Sequence, residues 1–327
     1  MSSDPTSAAE QSLAAYLDDW LAARAPDLRA ATLDTYRRLV RLHIVPHLGA
    51  RRLLDLTPQN LQVWLGELAR KEARGGGRLS PRTIRFTLSV LRAALADAER
   101  LGILGLSPMR RVRAPRPQAR LVPSYTLEEM RRLDLEAAHH RLGPLFSFLW
   151  QTGLRIGEAL ALRWSDVDLE DGTLRVQRSA AEVGGRMVLG PPKSLAGLRE
   201  IALTPRTLDL LRCQRSALAA RSLGACPLVF PSARGTLLSR RNASRAWASV
   251  RADAGLAPHG LHALRHTNAS LQLQAGIGLR EIAAHLGHES PALTARVYAH
   301  VLVATRRQAA LRLSALLAGD APQDPAP

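Results

Sequence analysis

Lysine is nearly missing from this chain. Of 45 basic residues among 327, only Lys71 and Lys193 are lysines, and every other cation is arginine. Cysteine is as scarce. Cys213 and Cys226 are too few and too isolated for a disulfide framework or a cysteine-rich zinc module. Both read as inert thiols in a reducing cytoplasm. No segment approaches the ~18 uninterrupted apolar residues of a membrane span. The opening MSSDPTSAAEQ has no charged stretch leading into an apolar one, so no secretory signal is expected. A membrane-surface protein would need a basic amphipathic helix with a bulky apolar face, and none is evident. There is no G-x-x-x-x-G-K-[ST] loop to hold a nucleotide triphosphate, and no repeat of solenoid length.

What remains is a strongly basic chain. Net charge is +17 and the isoelectric point about 11.4, which favours a polyanionic partner, nucleic acid above all. Hydrophobic residues make up 46%, enough for two domains with cores of their own at this length.

Residues 7–25 predict a helix with Leu13, Tyr16, Leu17, Trp20 and Leu21 as its apolar stripe. A second helix follows a Thr32 cap and ends near Pro46 and Gly49. A third opens at Thr57–Pro58 and a fourth at Ser80–Pro81, beyond the flexible GGGRLS. Together they make a helical domain over residues 1–106. Residues 107–125, SPMRRVRAPRPQARLVPSY, hold four prolines, five arginines and no acid. They read as an extended basic linker whose Arg110, Arg111, Arg113, Arg116 and Arg120 suit a phosphate backbone. A second domain over 126–316 begins at a Thr126–Glu129 capping box. Helices are predicted over 127–138 and 144–164. Three short antiparallel strands follow in GTLRVQRSAAEV, RMVLGPPK and LREIALTP. Helices return at 205–220, 239–254, 261–275, 279–285 and 291–316, and residues 317–327 form a disordered tail. The fold class is mainly α with a small antiparallel β-sheet.

The chemistry concentrates in HGLHALRHT, residues 259–267. His262 and His266 share a helix face at zinc-ligand spacing, and Arg265 shares a face with His262. The metalloprotease Glu of H-E-x-x-H is missing, no acid orients the imidazoles, and Arg265 repels a metal ion. A face of His and Arg suits an anion better, so no metal and no cofactor are expected. Four more segments share this character: QTGLRIGEALALRWSDVD with Arg155 and Glu158, LGPPKSLAGLREIAL with Lys193 in a turn between strands, AAHLGHES with His288, and LTARVYAH with Tyr298.

In that order, TGLRIGEAL, LHALRHT and LGHES…VYAH resemble the signature of the tyrosine site-specific recombinases, the phage integrase family. The resemblance covers nearly the whole chain. It implies a helical core-binding (SAM-like) domain followed by a mixed α/β catalytic domain. It also implies cleavage and rejoining of DNA through a 3′-phosphotyrosyl intermediate, without metal or ATP. Tyr298 is then the nucleophile. Arg155 and Arg265 grip the phosphate with forked, fully ionised donors, and His288 is a further donor. A phenol of pKa near ~10 needs a base, and His262 is the candidate. Arginine is a poor acid, so Lys193 is the residue expected to protonate the leaving oxygen. Glu158 supports Arg155, whereas Lys71 has no evident role. The implied partners are double-stranded DNA at core-type sites, a homotetramer on synapsed DNA, and an accessory DNA-bending or directionality factor. A cytoplasmic, nucleoid-associated, bacterial or phage-encoded protein follows.

The sequence departs from the family in one motif, with Ala263 where H-D-L-R-H-T has aspartate. The chain also begins almost at the core-binding helices, so an additional arm-binding domain is expected to be absent. Two alternatives use the same residues differently. One is a type IB topoisomerase-like enzyme acting on a single duplex. The other is a catalytically silent DNA-binding protein of the same fold.

Overall fold

The computed structural model describes residues 10–72, 76–115, 123–288 and 314. The chain divides into two compact units, Met1–Ala119 and Arg120–Pro327.

In the first unit, helix α1 (Leu13–Arg24) is capped by Ser12, and its predicted stripe is buried. Helix α2 (Ala30–Leu39) starts two residues before the expected Thr32 cap, with no side-chain cap. It does not run on as one α-helix. A π-turn at Val40–Ile44 intervenes before the single turn α3 (Val45–Leu48). The cause is Pro46, which has no N–H for the Leu42 carbonyl four residues back. Lys71 Nζ donates to that carbonyl at 2.7 Å, and Trp64 Nε1 donates to the next, His43, at 3.0 Å. One of the two lysines thus has a structural task. Helices α4 (Pro58–Arg70) and α5 (Pro81–Arg100) begin at the predicted Thr57 and Ser80 caps. Leu17, Ile44, Leu61, Leu88 and Leu91 are fully buried between these helices.

The arginine stretch is not extended from residue 107. It forms a 3-10 turn at Pro108–Arg111, and Met109 and Val112 are buried in the first core. These two apolar residues inside the basic run fold it back. Arg110 pairs with Glu99 at 2.6 Å, and the Ser107 N–H donates to the same carboxylate.

The second unit starts with the Thr126–Glu129 capping box and α6 (Leu127–Ala137). The helix expected over 144–164 is two. α7 (Gly143–Thr152) ends at Gly153, which is left-handed at φ +66°, and α8 (Ile156–Ala161) restarts at Arg155. Only glycine suits position 153, where a Cβ would lie 2.6 Å from Asn268 Oδ1 and 2.8 Å from Leu286 Cδ2.

Among the described residues the three expected strands are five, in two sheets. β1 (Val167–Asp168), β2 (Thr173–Val176) and β5 (Arg199–Ala202) form one antiparallel sheet, with Leu174 opposite Ile201. β3 (Ser179–Val183) and β4 (Arg186–Gly190) form a separate hairpin. GTLRVQRSAAEV is therefore divided at Gln177–Arg178, where Arg178 leaves the strand line to bind both carboxylate oxygens of Asp166. Lys193 does not occupy a hairpin turn. It lies on the connection from β4 in one sheet to β5 in the other, after Pro191 and Pro192.

Helices α9 (Pro205–Ala220), α10 (Arg240–Asp253), α11 (His262–Gln274) and α12 (Leu279–Leu286) complete the described unit. The helix predicted over 291–316 lies outside the described residues, Ser314 apart. Phe146, Trp247 and Leu264 centre the main core, and Ala269, Leu273, Ile282 and Leu286 join α11 to α12. No helix among the described residues is long and apolar enough to cross a membrane.

Candidate active site

Two helix C-termini converge in the second unit. α7 ends at Gly153 and α12 at Gly287, both left-handed at φ +66°. A helix C-terminus exposes carbonyls without intrahelical partners and carries partial negative charge. Side chains from three other elements, and His285 of α12 itself, cover these carbonyls. From α11, Arg265 donates to Gly153 at 2.8 Å and to Leu286 at 2.5 Å, tying the two ends together. Asn268, one turn on, takes the Trp150 and Gln151 carbonyls. His285 Nε2 donates to Thr152 at 2.9 Å, which fixes its tautomer. Arg155 NH2 reaches Gly287 O at 3.1 Å, and Arg199 Nε reaches His285 O at 2.6 Å.

The cations are tied together by one carboxylate. Glu158 caps α8 by accepting from the Arg155 N–H at 3.0 Å. Its Oε1 takes Arg155 NH1 at 2.8 Å and its Oε2 takes Arg199 NH2 at 3.0 Å. Burial pushes the Glu158 carboxyl up, but Arg199 and Arg155 together overcome this and hold it below the usual range. Two guanidinium groups thus share one carboxylate, and a third, Arg265, is held beside them by the carbonyls of Gly153 and Leu286. Arg265 and the Arg199 side chain are buried, while the Arg155 side chain is 30% exposed and gives the cluster a face open to a ligand.

The histidines line the same cluster. His262 and His266 share a face as their spacing predicted, with ring centroids 4.5 Å apart and planes nearly perpendicular. Burial, with His262, Arg265 and His288 nearby, pushes His266 down to about 3. His288 follows Gly287 directly and is pushed down to about 4 by burial, then by Arg265, Arg155, His262 and Arg199. At neutral pH both are uncharged. An incoming anion would offset the arginine repulsion and favour protonation. Among the described residues no three His, Cys, Asp or Glu side chains converge as a metal-binding group.

Five of the residues singled out by sequence are therefore neighbours: Arg155, Glu158, His262, Arg265 and His288. Lys193 is exposed on the β4–β5 connection. Tyr298 lies outside the described residues, as do Arg116 and Arg120. Arg111 and Arg113 are exposed on the first unit, and Arg110 is engaged by Glu99. Sequence reasoning missed Arg199. Its signal was a basic residue at the inward-facing position of β5, two before the buried Ile201.

The model described as the phage integrase family matches residues 126–304, and that of the phage integrase N-terminal SAM-like domain matches residues 12–69. The chain is 31% identical over 320 residues to tyrosine recombinase XerD of Mycobacterium leprae, covering 93% of this chain and 96% of the relative. The fold is similar to that of the Tn1549 transposon integrase in complex with transposon right end DNA. There the TM-score is 0.75 at 19% identity, over 93% of this chain and 100% of that one. It is also similar to lambda integrase, solved as a tetramer bound to a Holliday junction. That match has a TM-score of 0.66 at 22% identity, over 86% of this chain and 75% of that one.

Proposed function

The chain belongs to the phage integrase family and is a site-specific tyrosine recombinase, an enzyme of DNA strand cleavage and rejoining; from that premise we propose that the arginine–histidine cluster is its active site and Tyr298 its nucleophile. The observation that carries the reading is the convergence of three arginines, Arg155 and Arg199 on the Glu158 carboxylate and Arg265 on the carbonyls of Gly153 and Leu286, with Arg155 partly open to solvent. Such a site binds a phosphodiester and stabilises the additional charge of a pentacoordinate transition state.

In the proposed reaction Tyr298 Oη attacks the scissile phosphorus. The new O–P bond forms as the P–O5′ bond breaks, and the 3′ phosphate is left on tyrosine. His262 takes the phenol proton. Lys193 gives a proton to the departing 5′ oxygen. Arg155 and Arg265 hold the non-bridging oxygens, and His288 donates a further hydrogen bond. Bond energy is retained in the phosphotyrosine, so the 5′ hydroxyl can reverse the step on the same or another strand. The DNA partner is duplex with core-type sites, and the assembly is a tetramer on two synapsed duplexes. Lambda integrase, of similar fold, is solved as a dimer bound to a core site and as a tetramer bound to a Holliday junction, which supports this reading. An accessory DNA-bending or directionality factor and a cytoplasmic, nucleoid-associated location complete the proposal. The proposed domains are a core-binding domain from residue 1 to 106 and a catalytic domain over 126–316, joined through 107–125, of which residues 108–112 pack on the first unit.

The test is covalent trapping on nicked half-sites from the flanking DNA, in EDTA and without ATP. An SDS-stable adduct is expected with wild type and not with Tyr298→Phe. DNA binding without an adduct in wild type would favour the silent DNA-binding alternative. An adduct that persists in Tyr298→Phe would remove Tyr298 as nucleophile.

A further inference from the structure

We propose that Arg199 is a positioning residue, which sets the Lys193 connection and the His288 turn in register with Arg155. The inference rests on the active-site reading above. It starts from the three directions of one guanidinium. Arg199 Nε donates to His285 O at 2.6 Å, NH1 to Gly197 O at 3.1 Å, and NH2 to Glu158 Oε2 at 3.0 Å. Each bond leads to a different part of the site. Glu158 holds Arg155. His285 belongs to the turn that ends in His288. Gly197 closes the 3-10 turn Leu195–Gly197 on the connection that carries Lys193.

Two close approaches transmit this position. A Cβ on Gly197 would lie 2.6 Å from Pro192 Cβ, so the turn rests directly on the residue before Lys193. A Cβ on Gly287 would lie 2.6 Å from Ala196 O and 2.9 Å from Arg199 NH1, so the same turn packs on the residue before His288. Lys193 itself is exposed. Its placement relative to the phosphate site therefore depends on the backbone that Arg199 fastens. Lysine at position 199 would keep the charge but not the planar fork that reaches three acceptors in fixed directions.

A leaving-group substitution separates positioning of the lysine from a general structural role. In a substrate with sulfur in place of the scissile 5′ bridging oxygen, the leaving thiol has a pKa of about 8.5 and departs without a proton donor. Single-turnover cleavage of oxygen and sulfur substrates would be compared for wild type, Lys193→Ala, Arg199→Met and Arg199→Lys, with DNA affinity and melting recorded for each. Arg199→Met is expected to cut the oxygen substrate about 100-fold more slowly, the usual cost of a displaced catalytic group. The sulfur substrate should restore it towards wild type, as it restores Lys193→Ala, with affinity unchanged. Arg199→Lys should show the same rescue, and it carries the test if the methionine variant does not fold. If Lys193→Ala is rescued and the Arg199 variants are equally slow on both substrates, Arg199 does not act through Lys193 and the inference fails alone. Wild-type rates in both Arg199 variants overturn it as well. If Lys193→Ala is not rescued, the assignment of Lys193 fails and takes the inference with it.

Discussion

Arg265 NH1 donates to the carbonyl of Gly153 at 2.8 Å, joining residues 112 apart in sequence. The bond exists because the helix that periodicity carries through 144–164 stops at a left-handed glycine and turns its last carbonyls towards α11. Gly153→Ala should disturb both partners. It places a side chain at φ +66° and within 2.6 Å of Asn268 Oδ1. Destabilisation above about 1 kcal/mol is expected by denaturant titration, together with slower cleavage. Unchanged stability would mean that the turn adjusts without cost.

Arg265→Lys should separate binding from chemistry. The charge remains, so DNA affinity should change little. The fork that spans Gly153 and Leu286, and to which the proposed mechanism gives the phosphate oxygens, is lost. A positioned donor of this kind is worth about 100-fold or more in rate. Single-turnover cleavage at saturating DNA reads the effect, and near wild-type rates would show that charge alone suffices.

Much of this site was legible in the sequence, for a physical reason. His262, Arg265 and His266 lie within two turns of one helix, and helical spacing alone puts them on related faces. Arg155, Glu158 and His288 could be associated only through the order of the motifs, because no local rule brings α8 and the α12 terminus together. Arg199 stayed hidden because a single arginine in a chain so rich in arginine carries no compositional signal. The strand pattern failed at Gln177–Arg178 for a related reason. Alternation continued through the break, while the Arg178–Asp166 ion pair that bends the chain is a tertiary contact. The run of arginines concealed the apolar pair Met109 and Val112, which folds what reads as extended linker.

Glu158→Gln removes the one carboxylate shared by Arg155 and Arg199. The buried Arg199 side chain then lacks its counter-charge, and breaking a buried pair from one side typically costs about 3–5 kcal/mol. Glutamine preserves the shape, so the fall in stability should report charge. It should be accompanied by slower cleavage, as Arg155 loses its anchor. A variant as stable as wild type would show that water compensates the arginines.

Acid should destabilise the protein through its histidines as well as through Glu158. His266 and His288 titrate at about 3 and about 4 in the folded chain, against about 6.5 unfolded. The unfolded state therefore binds more protons between these values. Their contribution is fully present above about pH 6.5 and is lost as pH falls towards 4 and then 3. Glu158 acts in the same direction, losing its contribution as pH falls below the ordinary carboxylate range. Replacing His266 with glutamine should flatten the pH dependence of urea unfolding between pH 6.5 and 4, if packing is retained. Binding of a phosphodiester should also take up protons on the acid side of neutrality, measurable by calorimetry in buffers of different ionisation heat. Proton release on binding would contradict the assignment of His288 to the phosphate.

The two lysines should separate cleanly. Lys71 Nζ donates to the Leu42 carbonyl at 2.7 Å, beside Pro46, which has no N–H to offer it. Lys71→Met should therefore lower stability, by about 1 kcal/mol for a partly exposed bond, and leave the cleavage rate of bound DNA unchanged. Lys193→Met, on an exposed connection, should do the reverse. Pro46→Ala supplies a helical N–H that can reach residue 42, so in that background the cost of Lys71→Met should shrink. The double-mutant cycle over Pro46 and Lys71 measures that coupling directly. Strict additivity would mean that the lysine does not serve the carbonyl left by proline. A cleavage defect in Lys71→Met at saturating DNA would give the first unit a part in the chemistry that its contacts do not predict.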